Sequence, residues 1–77
     1  MAFNILIDKI SETETDVRYR FFDTAHPSEV GELRLDKVTE VIEMTQQSRE
    51  AFFNRAAAKI ARQFRDGSLP ESTSWAS

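Results

Sequence analysis

The stretch Val17-Arg18-Tyr19-Arg20-Phe21-Phe22 decides the fold, because Val17, Tyr19 and Phe21 alternate with Arg18 and Arg20. A period of two puts the apolar set on one face of a β-strand and the guanidinium groups on the other. β-Branched and aromatic side chains also suit a half-buried pleated surface. Upstream, the polar segment 11–16 has little to bury and reads as a connection. Before it, Phe3, Ile5 and Ile7 recur at period two and predict a first strand over about 3–10. Downstream, Asp23-Thr24-Ala25-His26-Pro27-Ser28 reads as a turn, since Pro27 fixes its own φ and moves His26 away from helical geometry.

Alternation resumes over 29–35, with Leu33 and Leu35 on one side and Glu32 and Arg34 on the other. Gly31 marks either a bulge or a close backbone approach. Val41-Ile42-Glu43-Met44 reads as a short fourth strand, while Val38 to Met44 reads equally as a bent continuation or the start of a helix. From 48 to 66 the period becomes helical, with Phe53, Ala56, Ala57, Ile60, Ala61 and Phe64 on one stripe. Thr45 or Ser48 is placed to cap the first amides, Glu50 suits the positive end of the helix dipole, and Arg62 and Arg65 suit its negative end. Gly67 supplies a left-handed stop, with Pro70 three residues later. The tail 67–77 is small and polar except at Leu69 and Trp75.

These pieces predict one α+β domain over 1–77: a three- or four-stranded antiparallel meander, then one carboxy-terminal helix on one sheet face. A 19-residue helix is roughly 28 Å long and covers such a sheet. Links this short exclude most parallel pairings, which need crossovers of about a dozen residues.

Bulk properties narrow the function classes. The 77 residues are 40% hydrophobic and 30% charged, in keeping with a single small globular unit. With no cysteine there are no disulfides, thiolate metal sites or thiol nucleophiles. No apolar run approaches the roughly 20 residues that cross a bilayer. The opening Met1-Ala2-Phe3-Asn4 has no basic lead and soon meets Asp8 and Lys9, so no signal peptide is expected and the expected location is cytoplasmic. The net charge of −3 is uneven: residues 1–45 hold ten acids and five bases, and residues 46–77 hold three acids and five bases.

Side chains that could carry chemistry are few. Asp23, His26 and Ser28 have the types of a catalytic triad, but they fall within six residues and are explained by turn hydrogen bonding. His26 is the only histidine and makes a poor metal site without cysteine. Glu12, Glu14 and Asp16 lack the glycine and the ligand number of a calcium loop, and Gly31 and Gly67 build no phosphate loop. Glu32 and Glu43 read as a carboxylate pair if they face each other across strands, and otherwise as acids on an exposed sheet face. No enzyme, metal or cofactor is expected.

One helix covers one face, yet Leu6, Ile10 and Phe22 fall on the opposite side from Ile5, Ile7 and Phe21. Either the tail folds back with Trp75, or that face meets another molecule. The leading expectation is a non-enzymatic interaction module that binds a protein partner or itself through an uncovered sheet face or edge. Leu6, Phe22 and Trp75 are the candidate contacts, with Arg18 and Arg20 at the rim; Trp75 reads either as a core anchor or as a recognition residue. The alternative is a nucleic-acid-binding regulator using Arg55, Lys59 and Arg62, which lie four and three residues apart on the helix. Arg18, Arg20 and Arg34 form a second basic group if their strands are neighbours.

Overall fold

The alternating stretch around Tyr19 becomes the middle strand of a five-stranded sheet. A computed structural model describes residues 2–76 and contains β1 (Asn4–Glu12), β2 (Asp16–Asp23), β3 (Gly31–Asp36), β4 (Ile42–Gln46), α1 (Glu50–Arg65) and β5 (Ser72–Ala76). Met1 and Ser77, which the expected domain and tail include, lie outside the described residues. Strand order is β4-β3-β2-β1-β5, and every neighbouring pair is antiparallel. The expected α+β class therefore holds, with five strands rather than three or four.

The fifth strand corrects the expected carboxy-terminal helix. Residues Ser72–Ala76 pair with β1 in an unbroken register from Asn4↔Ala76 to Asp8↔Ser72. α1 is thus a crossover that carries the chain from one sheet edge to the other. Its 16 residues span about 24 Å, and five strands at roughly 4.8 Å spacing are about 19 Å across. Helix length and sheet width therefore match.

Ile5, Ile7, Val17, Tyr19, Phe21, Leu33 and Leu35 line the helix side of the sheet and are buried against Phe52, Ala56 and Ile60. The buried helical line is 52/56/60; the expected stripe contains Ala56 and Ile60 and omits Phe52. Phe53 and Phe64 pack at its flanks. The Phe21 ring explains Gly31, its register partner in β3: a Cβ on Gly31 would overlap that ring and stand 2.7 Å from Ser48 Cβ. Close approach, not a bulge, is the reason for glycine there.

The helix ends divide the expectations. At the N-terminus neither Thr45 nor Ser48 caps: Arg49 is the N-cap residue without a side-chain cap, Thr45 belongs to β4, and the Ser48 hydroxyl donates to Glu29 O at 3.1 Å. Arg49 is held by two 2.8 Å bonds to the Glu29 carboxylate and stacks 5.3 Å from the Phe52 ring centre. At the C-terminus Gly67 is left-handed at φ 82°, with Gly67 N bonded to Phe64 O and Ser68 N to Gln63 O. This paired bonding closes the last turn as a Schellman motif.

Candidate functional site

α1 and the buried core lie on one side of the sheet, so the other side is the first candidate surface. Along β1 and β2 the side chains pointing away from α1 include Leu6 and Phe22, which are direct register partners. Both are half-buried. The row continues onto the edge strand, where Ser74 is the partner of Leu6. One row further along lie Ser72, Asp8, Arg20 and Glu32, and beyond them Arg18 opposite Arg34. The expected candidates Leu6, Phe22, Arg18 and Arg20 thus share one face.

Charge on this face is mostly used internally. Arg34 Nε donates to Asp16 at 2.8 Å, and its other nitrogens stand 3.8 Å from Asp36 and Glu43. These carboxylates raise the Arg34 pKa, while the Thr13 hydroxyl and Arg34 lower that of Asp16. Arg18 and Arg20 are exposed and make no ion pair among the described residues. Arg18, Arg20 and Arg34 are neighbours, as the basic-group reading requires, but Arg34 is saturated by acids.

Trp75 lies elsewhere. Its register partner is Ile5, so it belongs to the helix side, half-buried against the core. The structure does not bring it together with Leu6 and Phe22. Ile10 is the extra residue where the β1/β2 register shifts between Lys9 and Ser11, and it is 45% exposed. Val38 and Val41, in the β3/β4 connection, are exposed by 77% and 58%. The fourth strand therefore begins at Ile42 and runs to Gln46, rather than over the expected Val41 to Met44.

The basic helix residues are not equivalent. The Arg55 guanidinium lies 3.7 Å from the Phe3 ring centre and donates to Ala51 O. Lys59 is half-buried and Arg62 exposed, and neither makes an ion pair among the described residues.

A cleft of about 430 Å³ opens beside the helix N-terminus, lined by Ala2, Phe3, Asp23, Ala25, His26, Arg49 and Phe52. Asp23 is 5% exposed, and its Oδ1 accepts from Ala25 N at 2.7 Å, a turn bond of the expected kind. His26 Nδ1 stands 3.8 Å from that oxygen, too long for a hydrogen bond, and the ring rests on Phe52 at 5.8 Å. No hydrogen bond links Ser28 to His26 among the described residues. Glu32 and Glu43 are not register partners, since Glu32 faces Gln46 and Glu43 faces Arg34. Among the described residues no three His, Cys, Asp or Glu side chains are grouped to hold a metal ion, and no helix is long and apolar enough to cross a membrane.

Compared with protein-family models, curated proteins and solved structures, the chain matches none of them.

Proposed function

We propose that the protein is a non-enzymatic, cytoplasmic interaction module that binds a protein partner through the sheet face opposite α1, without a small-molecule cofactor. The observation that carries this reading is the Leu6–Phe22 cross-strand pair on a face that no described element covers. Apolar side chains on such a surface, rimmed by polar groups, are the usual composition of a protein contact. Arg18 and Arg20 give the partner its chemistry: an apolar centre with carboxylates placed to meet the two guanidinium groups. Arg34 adds little, because three acids already neutralise it.

A second reading, nucleic-acid binding through α1, is favoured by the absence of ion pairs at Lys59 and Arg62 among the described residues. Against it, the Phe3 ring and Ala51 O hold Arg55, and no aromatic residue on the outer side of α1 is placed for base stacking.

Capture from cell lysate with the tagged protein, in parallel with and without nuclease, separates the two. The module reading expects one stoichiometric protein that survives nuclease, is lost with Phe22→Ala and is retained by the Lys59→Glu/Arg62→Glu variant. Captured material that vanishes with nuclease, or that ignores Phe22→Ala, contradicts it. Phosphate contacts would also show as a steep loss of affinity with added salt.

A further inference from the structure

The two edges of the sheet are built differently, and the difference identifies an occupant for one of them. On β4 the register shifts between Glu32 and Leu33, leaving an extra residue in the edge strand, and Glu43 adds a charge. Bulges and charges are the devices that keep an edge from pairing with another strand. β5 has neither. Its sequence, Ser72-Thr73-Ser74-Trp75-Ala76, contains no charge, no proline and no glycine, and its register against β1 is unbroken.

Hydrogen-bond parity shows which groups this edge presents. Thr24 N donates to Asn4 O, so even-numbered β1 residues direct their backbone toward β2; Lys9 N donates to Glu71 O, so odd-numbered ones face β5. Their partners Thr73 and Trp75 therefore turn inward to β1. The N–H and C=O groups of Ser72, Ser74 and Ala76 point outward, away from β1.

That outward set is self-complementary. An antiparallel copy of β5 placed about a two-fold axis at Ser74 opposes Ser74 to Ser74, and Ser72 to Ala76 on each side. Ser74–Ser74 and the two Ser72–Ala76 pairs are then outward-directed pairs able to exchange both hydrogen bonds, and the Thr73–Trp75 pairs between them are the non-hydrogen-bonded ones. No like charges meet, although the chain as a whole is acidic. Ser72, Ser74 and Ala76 carry small side chains on the open face, so nothing bulky crowds the axis on that side, while on the helix side Trp75 of each copy stands opposite Thr73 of the other.

We infer that the protein forms a symmetric homodimer by antiparallel pairing of β5 with β5 of a second copy, joining two sheets into one of ten strands. Both helices then lie on the same side, as the axis is perpendicular to the sheet. On the other side the Phe22–Leu6–Ser74 row continues through Ser74, Leu6 and Phe22 of the second copy, which spans about 24 Å at ordinary strand spacing. An edge of five residues buries little area, which places the dimer among weak, concentration-dependent contacts. The inference concerns the edge and stands or falls independently of whether the open face binds another protein.

Sedimentation of the wild-type chain from about 1 µM to about 1 mM, the range where such contacts titrate, is the first arm of the test. Monomer at low and dimer at high concentration is expected; monomer throughout overturns the proposal. Ser74→Lys and Ser74→Glu each place like charges across the axis and are expected to remain monomeric, while an equimolar mixture of the two recovers a dimer. Self-association of either variant at wild-type strength, or no recovery on mixing, overturns it. The last arm needs no substitution: the amides of Ser72, Ser74 and Ala76 should exchange with solvent in dilute solution and become protected at the concentration of the dimer. Free exchange of these three in a sample shown to be dimeric contradicts β5 pairing. Lysate capture through Phe22 is read separately, so either assignment can fail alone.

Discussion

Glu40 takes φ 62° in the β3/β4 turn, a left-handed conformation that costs a non-glycine residue roughly 1–2 kcal/mol. The turn imposes it: Asp36 Oδ1 accepts from Val38 N and Thr39 N, Glu40 N donates to Asp36 O, and Asp36 N bonds back to Val41 O. Glycine relieves the strain and returns part of the gain as unfolded-state entropy. Glu40→Gly is thus expected to stabilise by up to about 1 kcal/mol, read as a thermal midpoint several degrees higher. Gly31 has the opposite character, because its φ is unremarkable and its space is not. Gly31→Ala forces the Phe21 ring or Ser48 to move, and a loss of about 1–3 kcal/mol is expected from such overpacking. An unchanged denaturant midpoint would contradict the contact.

At the scale of elements, the last strand depends on a strap that crosses from the helix end. The Tyr19 hydroxyl donates to Pro70 O at 2.7 Å, Lys9 Nζ donates to Leu69 O at 2.8 Å, and Lys9 N reaches Glu71 O. Tyr19→Phe keeps the buried ring and removes one anchor, so a cost of about 1–2 kcal/mol is expected. Faster amide exchange at Thr73 and Trp75 than elsewhere in the sheet checks that the effect is local to β5. This strand also marks the limit of what the sequence discloses. β2 and β3 are legible because each buries one full face, giving Val17, Tyr19 and Phe21, then Leu33 and Leu35. α1 is legible because its apolar period is 3.6. β5 buries only Thr73 and Trp75 inward, and its stability comes from backbone bonds to β1, which leave no trace in side-chain pattern. The candidate site was half legible on the same grounds: alternation put Leu6, Phe22, Arg18 and Arg20 on one face, whereas the cleft by His26 depends on tertiary packing of Phe3 against Phe52.

At the scale of the whole molecule, titration bounds the stable range on both sides. Hydrogen bonds from Lys37 and Lys9 lower Glu12 to about 2, the Thr13 hydroxyl and Arg34 lower Asp16, and the amides of Thr39 and Val38 lower Asp36. A depressed folded-state pKa contributes stability that is present above the ordinary carboxylate value and lost as pH falls through the folded one. Burial raises Tyr19 from 10.0 to about 12, so its contribution is complete below pH 10 and is lost as pH rises toward 12. Thermal midpoints are therefore expected to fall below about pH 4.5 and again above about pH 10. Glu12→Gln should flatten the acid limb and Tyr19→Phe the alkaline one. A midpoint unchanged between pH 5 and pH 2 would contradict the acid-side assignments.

Side-chain footprinting of the protein alone and in its captured complex reads the occupancy of the face opposite α1 residue by residue. Leu6 and Phe22 are expected to lose labelling on binding while Lys59 and Arg62 on α1 keep theirs. Protection along the outer side of α1, with Leu6 and Phe22 labelled as in the free protein, would contradict binding through that face.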